Sequence, residues 1–436
     1  MKGGQRAGDR IKSLLGHTLV QNALSLYGVQ IASYVVPLAT IPYLARVLGA
    51  AGWGTVAFAQ SFGFYVALIG EYGFGYSATR AVAQARENRE KLAEIVAGVQ
   101  GAKALLALVS LVVSAVAYLW VPLFREHPAL LGSAMFWALA FGFNMMWFFQ
   151  GFERMHHVAM LDVGAKILAT IGIFLLVRRP ADAWRVLAIQ GLGLFCSSVV
   201  GLTLTYRMVP FRLPTVNSVK IAMHMGWSMF LFRNSVSLYT TGNAFILGLF
   251  VSPQIVGYYA GAEKVSKAFV GLLNPITQTL YPRLSHLAHQ ARERAATLAK
   301  MGFWIMGGGG VGLGILIFVS APLVLRVVLG PGFGPAVPVL RILALLAPFI
   351  SLNNVFGIQW MLPLGKDRAF NRIILLAGLI NIILASLLAP AFAARGMAWS
   401  VVTAEFFVAV SIYLYLRWRK LDPISSYRIQ PNAETL

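Results

Sequence analysis

The chain has 436 residues, 58% of them hydrophobic and only 12% charged, with a mean hydropathy of +0.71. Soluble domains carry about 25% charged residues, so this composition excludes an ordinary soluble enzyme or binding module. The net charge is +21, and its distribution along the chain decides whether it reports membrane orientation or a polyanionic partner.

Residues 1–17 are polar and basic, and the apolar run after them, Thr18 to about Leu48, is longer than a signal-peptide core. The first helix is therefore expected to stay in the mature chain. Apolar runs of ~20 residues then recur, each long enough to cross a hydrocarbon core of about 30 Å. The predicted spans are 18–44, 53–76, 92–120, 129–151, 156–178, 184–207, 224–250, 256–280, 299–328, 337–363, 368–389 and 396–417. Strand-like alternation is absent, which argues against a barrel. The expected fold class is an all-α polytopic membrane protein of about twelve transmembrane helices.

With the N-terminus in the cytoplasm, the tails and cytoplasmic loops hold 23 Lys and Arg, against 7 in the opposite loops. That excess places both termini in the cytoplasm and accounts for most of the net charge without nucleic acid. The run GGGGVGLG at 307–314 lacks the Lys-Ser/Thr of a phosphate-binding loop and lies within a span, so ATP is not the expected energy source. The single cysteine, Cys196, rules out a disulfide framework within one chain. The seven histidines, His156 and His157 among them, show no metal spacing with Cys or carboxylates. Neither a metal, a cofactor nor an enzymatic activity is expected. The outer loops hold only two acids, Glu126 and Asp182, which is thin support for a membrane glycosyltransferase.

An internal repeat organises the spans. NALSLY (22–27) returns as NSVSLY (234–239), GTVAFAQ (54–60) as GYYAGAE (257–263), and VPL (121–123) as APL (321–323). Chance matches in apolar sequence are the alternative, but the order is kept. The expected domains are a basic tail (1–17), an N-lobe with six spans (18–208), a linker (209–223), a C-lobe with six spans (224–418) and a tail (419–436). Six is even, so both lobes enter from one side. That makes parallel repeats, with a site expected between them near the midplane. The second copy carries Arg233, Glu263, Lys264 and Lys267 where the first has Gln21, Gln60, Ser61 and Phe64.

Ten ionisable groups fall well inside the spans: Glu71, Lys103, Asp162, Lys166, Arg233, Glu263, Lys264, Lys267, Arg341 and Glu405. Each costs about 2.5–3.5 kcal/mol at the bilayer centre on insertion scales, so each should face protein or a watery cavity. Asp162 and Lys166 are four apart and can neutralise each other. Glu263, Lys264 and Lys267 share one helical sector, with Asn274 further along the stripe. Arg233 heads a second stripe with Ser237, Thr240 and Thr241. Either Glu263 staples two helices through Arg233 or Lys264, or the two stripes line a cationic cavity that accepts an anion. In the second case a guanidinium grips phosphate bidentately and an ammonium acts as a point charge. Lys103 either snorkels or lines the same cavity, and Arg341 is expected to snorkel. Arg46 either guards an outer mouth or caps its helix. Glu71 and Glu405 have no basic residue at helical spacing; they are candidates for ion coupling or gating, as is Glu263, or they meet a basic group on a neighbouring helix. Pro37, Pro42, Pro275, Pro348 and Pro363 are candidate kink sites.

The segments PYLARVLG (42–49), AFAQSFGFY (57–65), EYGFGYSATRAVA (71–83), WFFQGFERM (147–155), VGYYAGAEKV (256–265) and LYPRLSHL (280–287) resemble the polysaccharide transporter family of the multidrug/oligosaccharidyl-lipid/polysaccharide exporter superfamily, specifically Wzx-type O-antigen flippases. The resemblance runs over nearly the whole chain and is most specific in WFFQGFERM and SATR. Glu71 stands where the family often has Asp. The resemblance implies two six-helix lobes around a cationic cavity. It also implies export of an undecaprenyl-pyrophosphate-linked oligosaccharide to the periplasmic leaflet of the bacterial inner membrane. The implied partners are the lipid bilayer, a coupling proton or sodium ion, and polysaccharide polymerase and chain-length machinery. A lipid II flippase and a drug/cation antiporter of the same superfamily are the alternatives. The antiporter would favour acids, whereas the ten intramembrane groups are six basic and four acidic.

Overall fold

The computed structural model describes residues 39–153 and 155–423, with the backbone alone at 155–159, 232–236, 238–239, 278–279, 288–289 and 292. The NALSLY motif, the start of the first span, residues 1–17, residues 424–436 and the Arg233 side chain thus lie outside the described residues. Every regular element among the described residues is helical, and seven helical segments are long and apolar enough to cross a membrane. The chain is an all-α, multi-pass membrane protein.

The helix ends follow from local chemistry. Asn88 caps the Arg89–Trp120 helix by accepting the Lys91 N–H at 2.9 Å. This 32-residue helix buries Ala102, Lys103, Leu106, Ser110, Ser114 and Ala117 along one stripe. Leu105, Leu108, Val112 and Leu119 point outward and are exposed. Small residues inside and leucines outside fit a helix between protein and lipid. Two predicted pairs of spans form continuous helical stretches with one break each. Helix 39–71 turns at Gly49 (φ 66), and Asp367–Trp418 breaks at Ala393 (φ 51, ψ −131).

Other spans differ from expectation in being divided. The predicted span 256–280 is two helices, Pro253–Gly271 and Asn274–Gln290, separated by a turn at Leu272 and Leu273. Pro275 sits in the first turn of the second helix, so it opens a helix instead of kinking one. The predicted span 224–250 likewise divides into Val216–Thr240 and Asn243–Gly248. Two glycines of the glycine run, Gly310 and Gly314, pack closely on a neighbouring helix. A Cβ on Gly310 would crowd Ser351 and the Ala347 carbonyl, and one on Gly314 would lie 3.0 Å from the Ala344 carbonyl.

The chain forms two compact units, one containing Val66–Met229 with the chain up to Leu44, the other Ala45–Tyr65 with Phe230 onward. In the first, Pro128–Gly142 packs on Ala183–Met208, which also packs on Met155–Leu176. In the second, a core around Trp360, Phe356, Met306 and Ile412 joins the last four spans. The 45–65 segment belongs to this second unit through a contact that follows the sequence repeat. A Cβ on Gly54 would overlap the Pro253 carbonyl, and a Cβ on Gly257 would overlap the Ala50 carbonyl. Gly54 pairs with Gly257 in the repeat, and Ala50 with Pro253, both at the offset of 203. The contact is therefore reciprocal, as it must be where repeat-related helices cross on a local two-fold. Phe58, Phe62 and Tyr65 continue it around Phe245, with ring centroids 5.0, 5.3 and 6.3 Å away.

Gly54→Ala and Gly257→Ala should each destabilise the detergent-solubilised protein by about 1–3 kcal/mol through overpacking, read as a fall in melting temperature. Gly132→Ala, where a Cβ would meet nothing within 4 Å, should be neutral or mildly stabilising. Equal melting temperatures for all three would contradict the close crossing.

Candidate functional site

The charged cluster of the second unit sits on Pro253–Gly271. Lys267 Nζ lies 3.0 Å from Glu263 Oε1, the i,i+4 pair expected from the sequence. The same ammonium donates to the Thr240 carbonyl at 2.7 Å, at the C-terminal end of the Val216–Thr240 helix. Glu263 Oε1 also accepts from the buried Tyr259 hydroxyl at 3.3 Å. Tyr259 in turn meets the Asn243 side chain, and Asn243 Oδ1 accepts from Asn381 Nδ2 at 2.9 Å. A polar chain thus runs Lys267–Glu263–Tyr259–Asn243–Asn381 into the unit. Lys264 is exposed and makes no hydrogen bond or ion pair with a described residue. Of the two lysines, it is the one with uncommitted donors.

The remaining predicted residues of this unit have varied surroundings. Ser237 is buried, and its carbonyl accepts the Thr241 hydroxyl at 2.9 Å. The Thr241 carbonyl takes the Ser61 hydroxyl at 2.8 Å. Asn274 is exposed and opens the next helix, so the Glu263 stripe ends before reaching it. Arg46 Nη2 donates to the Val327 carbonyl at the end of Gly308–Val328; it caps a helix, though not its own. Arg341 lies over the Phe318 ring at 5.2 Å. Glu405 Oε2 accepts from Asn353 Nδ2 at 2.6 Å.

In the first unit Glu71 and Lys103 come together. Helix 39–71 stops after Glu71, where Tyr72 and Gly73 adopt φ of 46 and 75. Glu71 accepts the N–H of Gly73 at 3.3 Å and of Gly75 at 2.9 Å, so it caps the Phe74–Gln84 helix. A carboxylate there meets both the orphan N–H groups and the positive end of the helix dipole. Glu71 is also within electrostatic reach of Lys103, which is 2% exposed. Lys103 donates to the Asn144 carbonyl at 3.1 Å, where Pro128–Gly142 gives way to Met146–Gly151. Its ammonium lies 5.7 Å from the Trp147 ring centroid. Asp162 and Lys166 pair at 2.7 Å, as expected.

The two most specific motifs of the sequence touch each other here. Thr79, in SATR, donates to the Trp147 carbonyl at 3.0 Å. Gly151 admits Val82 where a Cβ would not fit. Arg86 binds the Gly151 carbonyl at 2.6 Å and Glu153 at 2.8 Å. That hydrogen bond and charge hold the Glu153 carboxyl below the usual carboxylate range.

Sequence reasoning missed Tyr259, Asn243, Asn353 and Asn381. The available signal was amide side chains inside apolar runs, clearest in Asn353-Asn354. No group of three or more metal-ligating residues occurs among the described residues.

The family description "Polysaccharide biosynthesis protein" matches residues 19–288. A candidate O-antigen transporter of Escherichia coli (strain K12) is 29% identical over 414 residues, covering 93% of this chain and 98% of that one. A candidate O-antigen transporter of Shigella dysenteriae is 29% identical over 408 residues, covering 89% and 98%. Among solved structures, the lipid II flippase MurJ in an inward closed conformation aligns with a TM-score of 0.65 at 13% identity, covering 90% of this chain and 89% of its own. An inward-facing multidrug resistance transporter of the MATE family aligns with a TM-score of 0.60 at 15% identity, covering 90% and 99%. These likenesses show the shared fold.

Lys103→Met should destabilise the protein by about 1–3 kcal/mol, because it leaves the Asn144 carbonyl without its buried donor. Lys264→Met should stay within about 0.5 kcal/mol of wild type, as exposed positions do. Thermal unfolding in detergent makes the comparison, and equal losses would remove the distinction between capping and uncommitted lysines.

Proposed function

The chain belongs to the polysaccharide biosynthesis protein family, and we propose that it is a flippase for a lipid-linked oligosaccharide. Its substrate is an undecaprenyl-pyrophosphate-linked repeat unit of O-antigen or a related polysaccharide. It moves that unit from the cytoplasmic to the periplasmic leaflet of the bacterial inner membrane, with both termini in the cytoplasm. Transport proceeds by alternating access through a cationic cavity and is driven by a proton or sodium gradient. The observation that carries the reading is the extent of similarity to candidate O-antigen transporters, over 93% of this chain and 98% of the Escherichia coli relative.

The chemistry of the second unit fits the substrate. A pyrophosphate is a compact polyanion, and Lys264 offers an uncommitted ammonium beside Lys267. Arg233 supplies the bidentate fork. Lys267 divides its donors between Glu263 and the Thr240 carbonyl, so it holds the geometry as well as adding charge. At ~4 Å a unit charge pair is worth about 4 kcal/mol at an effective dielectric of 20, enough for such contacts to govern binding. Polysaccharide polymerase and chain-length machinery are the proposed partners, because they would consume the flipped unit.

In cells lacking their own flippase, Arg233→Ala and the double variant Lys264→Ala/Lys267→Ala should cut surface polysaccharide at least about tenfold, one 1.4 kcal/mol step, at unchanged protein level. Arg233→Lys should be only partly active. Wild-type polysaccharide from all three would sink the anion-binding role. Failure of the wild-type protein to flip an undecaprenyl-pyrophosphate-linked oligosaccharide in vesicles would sink the function itself.

A further inference from the structure

We propose that Glu405 and Asn353 form a reversible proton-binding site inside the second unit, in which the Asn353 amide turns over to serve both protonation states. Glu405 lies on the last span, after the break at Ala393, and Asn353 closes the Leu346–Asn353 helix where the backbone widens into the π-helical stretch Asn354–Met361. Such widenings recur at functional sites because they free side chains from ordinary helical register.

The contact is two-sided. Asn353 Nδ2 donates to Glu405 Oε2 at 2.6 Å and to the Glu405 carbonyl at 3.3 Å. Asn353 is 8% exposed, and its Oδ1 is buried without a hydrogen-bond partner. An unsatisfied buried acceptor is costly, so this oxygen is poised to take a hydrogen bond when a donor is supplied. The protonated acid is such a donor. A proton from the aqueous phase binds the carboxylate, a half-turn of the amide brings Oδ1 to the new O–H, and loss of the proton restores the first arrangement. Amides present a donor and an acceptor of similar shape, so the turn keeps the packing while giving up the longer bond to the Glu405 carbonyl.

Neighbouring charges do not compete for the site. The Asp367–Trp418 stretch that carries Glu405 packs on Val337–Leu343, Leu346–Asn353, Asn354–Met361, Asn243–Gly248 and Pro253–Gly271. Of these, Val337–Leu343 carries Arg341, which is turned to Phe318. Pro253–Gly271 carries Tyr258, Tyr259, Glu263, Lys264 and Lys267, and Glu263 is held by Lys267 and Tyr259. The other three elements carry no charged side chain. On its own element Asp367, Arg368, Arg372, Arg395, Tyr413, Tyr415 and Arg417 form no ion pair or hydrogen bond with Glu405. A proton suits the site better than a metal cation, because the described oxygens are one carboxylate and one amide, whereas hard cations gather about six.

Proton binding itself stands apart from the transport reading, whereas its use as a driving force rests on that reading. The test is pH-difference infrared spectroscopy on the purified protein in lipid, without substrate. On acidification the wild type should gain a protonated-carboxyl band that Glu405→Gln lacks. Asn353→Leu, which keeps the acid, should retain the band but move it to higher frequency, since the O–H has lost its acceptor. A wild-type band unchanged in both variants, or no band together with a sodium-dependent response, overturns the proposal. In reconstituted vesicles, the ratio of flipping with and without an imposed pH gradient should fall to about one in Glu405→Gln. An unchanged ratio beside a missing infrared band would retain the site and reject its coupling role.

Discussion

Inside hydrocarbon, a backbone group freed by a broken helix must find a partner within the protein. This chain breaks many of its spans, and four of its charged side chains sit at helix ends. Lys103 donates to Asn144 where the fourth predicted span is interrupted, Lys267 to Thr240 where the seventh ends its first part, and Arg46 to Val327 at the close of the ninth. Glu71 does the converse, accepting two N–H groups at the start of the Phe74–Gln84 helix. Each cation meets the negative end of a helix and the acid meets a positive end, the arrangement the helix dipole favours. An expensive buried charge and an expensive open helix end are each made tolerable by the other.

This pairing sorts the charges by availability. A lysine that is buried against a carbonyl and an aromatic face, with a carboxylate within electrostatic reach, as Lys103 is, has little left for a ligand. Lys267 is intermediate, since its side chain keeps 49% exposure while serving Glu263 and Thr240. Lys264 is committed to none of these. On the proposed reading the protein binds a polyanion and releases it, and a few uncommitted donors beside a fixed polar network suit that task better than a cluster whose donors are all engaged.

Much of this was legible in the sequence. Hydropathy gave the all-helical, multi-pass membrane class, and spacing alone gave the Asp162–Lys166 and Glu263–Lys267 pairs, because i,i+4 contacts depend only on one helix. What stayed hidden were partners on other elements. Spacing says nothing of an acid's neighbours across helices, so it could show neither that Glu71 caps the next helix nor that Asn353 holds Glu405. The broken spans also escaped detection. Hydropathy averages over the turn at Leu272 and Leu273, two apolar residues in apolar surroundings, and so Asn274 was placed on a stripe that ends before it.

Helices matched by the sequence repeat meet at one helix end. Helices 50–71 and Pro253–Gly271 cross at Gly54 and Gly257 and then run past the end of the same helix, Val216–Thr240. Ser61 donates to the Thr241 carbonyl, and Lys267 to the Thr240 carbonyl. One helix end is therefore closed by a neutral hydroxyl from one copy and an ammonium from the other. The repeat counterpart of Ser61 is Lys264, which is exposed. Because Ser61 and Lys267 already satisfy that helix end, a charge at 264 is not needed for capping. Its position is released from the structural demand that fixes Lys103, Lys267 and Arg46, which is the condition that the proposed ligand role of Lys264 requires.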